Sequence, residues 1–393
     1  MNYSEILSEI IKDFAKKRTK EVLPQISNLD KKYMRPKKSK CMFPGCKNDA
    51  IHSHAISKKH YLLNICTEDG HVGAFMPKRN AETKEFEWKR VGINDATAFL
   101  GFCKEHDTGL FESIDNNGLL QDKDVLLQCY RTICWCLLYE EAASALSGRI
   151  KDMAEDDMRK RMSEVDLDYD KIMYDPAYQA KKYNIVESLE KIKQSFEDVI
   201  DENVIHNDAF TIEERNTYQY YKISNIIEIY KRRLDIEIPI ALQSMTNIRT
   251  DEGQGTFFHI VLPEKGSTDI ILINASKLKF RECWEARTAT NIEALGLIES
   301  WMIGSENWFI SPNVIESLSK EKQEFIADDI RYASFERQPW QPYDMSIFDG
   351  IRRDLNESFE DKFPDRPPRY IREQNMLQNI QDTNAYNDYR RNR

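Results

Sequence analysis

The chain has 393 residues and a formal net charge of −10, with 41% hydrophobic and 31% charged positions. This length and apolar content suffice for two or more domains with cores of their own. The acidic balance argues against a protein whose whole surface is coated by nucleic acid. No run of eighteen apolar residues occurs, so the sequence predicts no membrane-spanning helix.

Residues 1–40 predict a basic helix and a linker. Ser4 is placed to cap a helix with apolar residues at helical spacing, and this start lacks the long apolar core of a signal peptide. Lysine and arginine are dense between Lys12 and Lys40, where they either bind phosphates or solvate a linker. Because no signal peptide is predicted, the eight cysteines are expected to be reduced thiols in a cytoplasmic protein.

Two close-spaced pairs of metal ligands follow this segment. The first is Cys41-x4-Cys46 in KCMFPGCKN, and the second is Cys103-x2-His106 in FCKEHD. Thiolate and imidazole are good zinc ligands, and a pair separated by two to four intervening residues can reach one tetrahedral ion without strain. Gly45 gives the first pair a permissive turn. The spacing predicts one structural Zn²⁺ bound by Cys41, Cys46, Cys103 and His106, against the alternative of free cysteines in an ordinary loop.

The segment between and after these pairs completes a predicted module at residues 41–150. Two strands are predicted by HVGAF and EFEWKRVGI, with a polar turn between them. An apolar helix from Asp122 to Leu146 then closes the module, and its cysteines are expected to pack in the core as small hydrophobic side chains.

Residues 151–364 predict helices around a small antiparallel sheet. Helical spacing of apolar residues predicts helices over KYNIVESLEKIKQSFEDVI and TYQYYKISNIIEIYKRRL. The period then changes, and strands are predicted over IEIPIALQSM, GTFFHIVLP and TDIILINAS, with EKGS as a hairpin loop. Helices return in NIEALGLIESWMIG and SKEKQEFIADDIRYASF. We expect His259 to be a core residue and Glu299 a surface carboxylate, and residues 365–393 to form a polar, mobile tail.

The order Cys-x4-Cys, His-Ser-His-x-Ile-x-Lys and Cys-x2-His-Asp resembles the zinc-containing HNH (ββα-metal, treble-clef) endonucleases. In that family a zinc knuckle braces a β-hairpin and a helix. A histidine that ends the first strand activates water, an asparagine orients this histidine, and a helix residue binds a catalytic divalent ion. The resemblance covers about residues 41–117 and implies an α+β fold with a zinc-braced treble-clef module. The chain also resembles uncharacterised bacterial proteins found in phage-defence loci.

This resemblance implies specific roles for residues near the ligand pairs. His54 matches the water-activating histidine, Asn94 the orienting asparagine, and Asp107 a ligand of Mg²⁺ or Mn²⁺. His52 lies two residues before His54, so both would face one side of a strand and could share an ion. Alternatively, His52 replaces His106 in the zinc shell and leaves His106 for catalysis.

Two positions depart from the family pattern. Ser53 stands where the family has an acid or a histidine before the base, and Asp107 stands where it has a helix histidine. The resemblance implies a metal-dependent endonuclease that cleaves DNA, as an effector of bacterial anti-phage defence. The rival interpretations are a non-catalytic zinc protein that binds nucleic acid or a protein partner, and a subunit that is active only in a complex. The sequence leaves the oligomeric state open.

Overall fold

The structure is a computed structural model, and its description covers several ranges of the chain. These are residues 38–77, 86–163, 185–200, 211–215, 217–250, 253–305, 307–332, 340, 343 and 346–362. The predicted tail at 365–393 and almost all of the basic segment at 1–40 lie outside the described residues. None of the described helices has the length and apolar character needed to span a membrane.

The chain forms two compact units that alternate along the sequence. The first unit comprises Met1–Ser53, Phe99–Gly109 and Ile133–Glu197. The second comprises His54–Ala98, Leu110–Thr132 and Asp198–Arg393.

The described elements are mixed helices and strands. The strands are β1 (Ser53–His54), β2 (His71–Pro77), β3 (Phe86–Gly92), β4 (Ala98–Phe99), β5 (Thr211–Arg215), β6 (Tyr218–Lys222), β7 (Ile227–Leu234), β8 (Ile240–Thr250), β9 (Gly253–Glu264), β10 (Ser267–Ala275) and β11 (Trp308–Ile310). The helices are α1 (Leu63–Ile65), α2 (Lys104–Asn117), α3 (Asp122–Ser163), α4 (Ile185–Glu197), α5 (Arg281–Arg287), α6 (Asn291–Ile303), α7 (Pro312–Ser317), α8 (Lys320–Tyr332) and α9 (Asp349–Lys362), and a π-helical turn (Lys58–Leu62) precedes α1.

A nine-stranded sheet forms the frame of the second unit. Its strand order is β3-β2-β11-β8-β9-β10-β7-β6-β5, and β1 pairs with β4 in a separate two-stranded sheet. The pairings within the large sheet are antiparallel. This sheet is larger than predicted, because the hairpin of β2 and β3 joins it through the short strand β11.

The β9–β10 hairpin confirms the loop predicted at EKGS. Glu264 pairs directly with Ser267, which leaves Lys265 and Gly266 as a two-residue turn. Gly266 has a φ of +72°, a conformation that glycine adopts without a steric penalty.

The helix predicted over TYQYYKISNIIEIYKRRL is wrong, because this segment forms β6 and β7. The segment is rich in tyrosine and isoleucine, which fit a pleated and half-buried surface. β7 lies between β10 and β6, and Tyr220 pairs with Tyr230 across β6 and β7. Pairing with strands distant in sequence thus overrides the helical spacing.

The main core of the second unit lies between this sheet and α6. Thr290 and Glu293 form a capping box at the start of α6, and the helix is buried from Ala294 to Ile303. His259 is buried, as predicted. Glu299 was expected at the surface but is fully buried, where it pairs with Arg352 and accepts hydrogen bonds from two backbone N–H groups.

The long helix α3 extends well beyond its predicted end and has 42 residues. Its cysteines Cys129, Cys134 and Cys136 are buried, as predicted. Burial raises the pKa of the Cys129 and Cys136 thiols far above the usual range, which keeps them protonated and inert.

Candidate metal centre and histidine site

Two short elements of the first unit bring four metal-ligating side chains together. Cys41 and Cys46 flank a turn in which the Cys46 N–H donates to the Phe43 carbonyl, and Gly45 has a φ of +71°. Cys103 directly precedes α2, and His106 lies in the first turn of that helix. The Met42 N–H donates to the Gly101 carbonyl at 2.8 Å and thereby joins the two elements.

The distances among these side chains fit a tetrahedral metal ion. The ligand atoms of Cys41, Cys46, Cys103 and His106 all lie within 4.8 Å of one another. The Cys46 and Cys103 sulfur atoms are 3.9 Å apart, and His106 Nδ1 lies 3.5 Å from Cys41 Sγ and 3.3 Å from Cys103 Sγ. A tetrahedral zinc ion places two sulfur ligands about 3.8 Å apart and a sulfur and a nitrogen about 3.6 Å apart. This Cys₃His cluster can therefore hold a metal ion such as zinc.

The surroundings of the cluster orient its ligands and set their proton affinity. The Phe43 ring stacks on the His106 ring at 4.1 Å, and the Asn48 amide donates to Cys103 Sγ. Burial raises the pKa of the Cys41 thiol to about 11. Burial acts in the same direction on Cys103, but hydrogen bonds from His106, Cys41 and Cys46 outweigh it and lower the pKa of Cys103 to about 7.

The first unit also contains Asp107 and His52, which the sequence singled out as ligands of a second ion. Asp107 is half-buried in the first turn of α2, and its N–H donates to the Cys103 carbonyl at 2.8 Å. His52 is exposed just before β1 and does not belong to the Cys₃His cluster. The structure thus places His106, rather than His52, beside the three thiols.

His54 lies on β1 and belongs to the second unit. Its Nδ1 is 2.9 Å from the Ala96 carbonyl oxygen and 3.4 Å from the Thr97 hydroxyl oxygen. Burial lowers the pKa of His54 below its usual value, and the charges of Arg131 and Lys58 act in the same direction, while the Ala96 hydrogen bond opposes them. The imidazole is therefore neutral near pH 7.

Asn94, predicted to orient His54, is exposed in the turn before β4. Its amide oxygen accepts a hydrogen bond from the Lys58 ammonium group at 3.0 Å. The described contacts of the His54 ring are with Ala96 and Thr97 instead. Sequence reasoning missed both, because backbone carbonyls and single threonines leave no motif.

Two lysines follow His54 in the π-helical turn, and both are held by neutral groups. Lys58 donates to Asn94, and the Lys59 ammonium group donates to the Asn116 amide oxygen at 2.6 Å. Neither ammonium group has a carboxylate within ion-pair distance in the part of the chain that the structure describes. In the sequence these lysines are the pair KK directly after HAIS. The motif His-Ser-His-x-Ile-x-Lys includes the first of them and leaves out the second.

A partly buried ion pair lies in the same unit as His54. The Arg131 guanidinium donates to both oxygens of Asp115, at 2.8 and 3.4 Å, and lies over the Phe111 ring. This pair is separate from Lys58 and Lys59, whose ammonium groups are held by amide oxygens.

No family model, curated protein or solved structure matches the chain. The function has to be inferred from the residues of the site themselves.

Proposed function

We propose that the chain is a metal-dependent endonuclease that hydrolyses DNA phosphodiester bonds, with His54 as the general base. The observation that carries this proposal is the environment of the His54 imidazole. Its Nδ1 faces the Ala96 carbonyl at 2.9 Å, and burial keeps the ring neutral. A histidine in this state is prepared to accept a proton from water.

The direction of proton transfer follows from the hydrogen bond. A carbonyl oxygen only accepts, so the Nδ1 of His54 must carry the ring proton. The lone pair then lies on Nε2, and this nitrogen would take the proton of the attacking water.

The Cys₃His cluster supports a structural role for Zn²⁺. Three thiolates and one imidazole fill the four positions of a tetrahedral shell, which is typical of structural zinc sites, whereas catalytic sites keep a position open. The ion would brace the loop of Cys41 and Cys46 against the start of α2.

Lys58 and Lys59 support a phosphodiester substrate. Ammonium groups that are held by amide oxygens keep their full positive charge, whereas a carboxylate partner would neutralise it. Lysines bind backbone phosphates without reading the base sequence. Their place directly after the His54 segment would bring a phosphate to the proposed base.

The proposal includes Mg²⁺ or Mn²⁺ as a second ion. The family resemblance implies Asp107 as its oxygen ligand, but Asp107 lies in the first unit and His54 in the second, so we do not assign Asp107 to the His54 site. Within the described residues, the Cys₃His group is the single cluster of three or more such ligands. Magnesium commonly binds through one or two carboxylates, phosphate oxygens and water, so the substrate phosphate would supply part of its shell and we assign no protein ligand. When bound, the ion would stabilise the charge on the leaving 3′ oxygen.

A plasmid-nicking assay tests the proposal. We expect purified protein to convert supercoiled plasmid to nicked circles with Mg²⁺ or Mn²⁺, and His54→Ala to lose this activity. The matched control is His71→Ala, which removes another partly exposed histidine of the same unit. Loss of activity in both variants, or in neither, would argue against His54 as the base.

The rival function is zinc-supported binding of nucleic acid or a protein partner without catalysis. It is favoured by the lack of a second ligand cluster among the described residues. A wild-type protein that binds DNA but cuts none with any divalent ion would support it. Cleavage that appears only after a partner is added would instead support a subunit that acts in a complex, as in anti-phage defence.

A further inference from the structure

Thr97 has an unusual backbone conformation beside His54. Its φ is +59°, and it is the one non-glycine residue with positive φ in the described part of the chain. A β-branched side chain disfavours this region because it crowds the neighbouring carbonyl. Glycine would adopt the same conformation without a penalty, so the backbone conformation does not explain why this residue is a threonine. Strained residues of this kind concentrate at functional sites.

Side-chain and backbone contacts hold Thr97 against the His54 segment. Thr97 is 6% exposed, and its hydroxyl donates to the Ile56 carbonyl at 2.9 Å. The Ala55 N–H donates to the Thr97 carbonyl, also at 2.9 Å. The hydroxyl oxygen is thereby fixed 3.4 Å from the Nδ1 of His54.

Counting protons defines what this oxygen offers to His54. The hydroxyl has one proton, and the Ile56 carbonyl accepts it. The hydroxyl oxygen therefore presents a lone pair to Nδ1, as the Ala96 carbonyl also does. Two acceptors favour a protonated Nδ1, because an unprotonated Nδ1 would face two oxygen lone pairs with no proton to share.

We infer that Thr97 is a positioning residue whose hydroxyl fixes the His54 imidazole in the Nδ1-protonated tautomer. The inference rests on the proposed function, because this tautomer leaves Nε2 as the base. Thr97 itself touches neither water nor substrate in this scheme. Its left-handed backbone brings the hydroxyl to Nδ1.

The tautomer can be measured without substrate. The chain has seven histidines, so protein labelled with ¹⁵N-histidine gives a tractable imidazole spectrum, in which His54→Gln identifies the His54 signals. We expect the wild type and Thr97→Ser to show the Nδ1-protonated form alone. Thr97→Gly and Thr97→Val, which lack the hydroxyl, should show a mixture of tautomers.

These variants separate positioning from folding. Thr97→Gly relieves the backbone strain but gives up the hydrogen bond to Ile56, whereas Thr97→Val keeps the strain and also loses that bond. Both should still melt cooperatively, so a change of tautomer shared by the two variants reports the lost hydroxyl and not the backbone. In single-turnover cleavage, we expect Thr97→Gly to be about 3- to 10-fold slower, as for the loss of one hydrogen bond, with KM unchanged and the rate restored in Thr97→Ser.

A single Nδ1-protonated form in Thr97→Gly would overturn the inference, since the Ala96 carbonyl would then suffice. If the wild type cuts DNA and this result is obtained, the proposed function stands and the positioning role fails. If the wild type cuts no DNA and Thr97→Gly shows a mixture of tautomers, the hydroxyl does orient His54 and the proposed function fails.

Discussion

Cys41 and Cys103 differ in how readily each gives up its proton, and this difference affects how the candidate centre takes up a metal. The pKa of Cys103 is lowered to about 7, so it is partly a thiolate at neutral pH, whereas that of Cys41 is raised to about 11 by burial. Metal binding must displace the protons that remain, so affinity should fall as the pH is lowered.

We expect the wild-type protein to contain about one zinc ion per chain and Cys103→Ser to lose it, because one of four ligands is removed. Structural zinc contributes to folding, so the variant should also melt at a lower temperature. Elemental analysis and a melting curve measure both effects. Cys283→Ser, outside the cluster, is the matched control. Unchanged zinc content in Cys103→Ser would contradict the assignment.

His259 links stability to pH. Burial lowers its pKa to about 3, whereas an unfolded histidine titrates near 6.5. The unfolded chain binds a proton between these values and the folded chain does not. Stability from this residue is therefore fully present above about pH 6.5 and is lost as the pH falls toward about 3.

His259→Asn should make the acid-side loss of stability shallower, by up to about 1.4 kcal/mol per pH unit. Asparagine keeps a polar group toward the Ser244 hydroxyl, which the His259 ring contacts at 3.2 Å. Urea unfolding at pH 7, 6 and 5 measures the slope, and His71→Asn provides a control at a more exposed position. An unchanged slope would show that protonation of His259 does not lower the free energy of unfolding.

Local spacing allowed the four cluster residues to be predicted from the sequence, because the two ligands of each pair are separated by only a few residues. The role of His54 stays a prediction. The partners of His54 were not predictable in this way. Ala96 and Thr97 lie 42 and 43 residues further along, and only the pairing of β1 with β4 brings them close.

At the scale of elements, the π-helical turn presents two positive charges next to each other. Lys58 and Lys59 occupy consecutive positions in it and are held by amides from the β3–β4 turn and from α2. π-Helical turns are rare and frequently occur at functional sites.

The double variant Lys58→Ala and Lys59→Ala should bind duplex DNA more weakly, and its log-affinity against log-salt slope should be lower by up to about 2 units. Fluorescence anisotropy in a His54→Ala background measures binding without cleavage. Lys277→Ala removes an exposed lysine from another loop and serves as the control. Equal slopes in the double variant and its parent would show that these lysines contact no phosphate.

The junction of the β2–β3 hairpin with the rest of the sheet is narrow. β11 has three residues, and its pairing with β2 is Ile310 with Gly73. A Cβ at Gly73 would lie 2.6 Å from the terminal methyl of Ile315 on α7 and 3.4 Å from the Ile310 carbonyl oxygen.

Gly73→Val should therefore destabilise the second unit by about 1–3 kcal/mol, as expected for overpacking. Chemical unfolding measures this loss. Gly92→Val is the matched control in the neighbouring strand, because a Cβ there meets no atom within 4 Å. Equal stability of the two variants would mean that α7 moves freely away from β2.

Four of the described helices and the β9–β10 hairpin were predicted because their signals are local; the helices are α3, α4, α6 and α8. The β6–β7 segment was not, since its apolar residues match helical spacing as well as they match strands. Pairing with β10, some forty residues later, decides the outcome.

At the scale of the whole molecule, the large sheet draws strands from both sides of residue 150. β2 and β3 precede the long helix α3, and the other seven strands follow it. Pairing between such distant segments leaves no trace in a single sequence, so neither the size of the sheet nor its strand order was predictable. The function is a proposal, and the residues that support each part of it lie within one unit.

The most direct test of the account is the single-turnover rate of DNA cleavage by the wild type and by His54→Ala, at equal zinc content. We expect the wild type to cut in the presence of Mg²⁺ or Mn²⁺ and His54→Ala to be about 10²–10⁴-fold slower, as for the loss of a general base. Equal rates in the two proteins would contradict the assignment of His54. A wild type that cuts no DNA with either ion would contradict the proposal that the isolated chain is a nuclease.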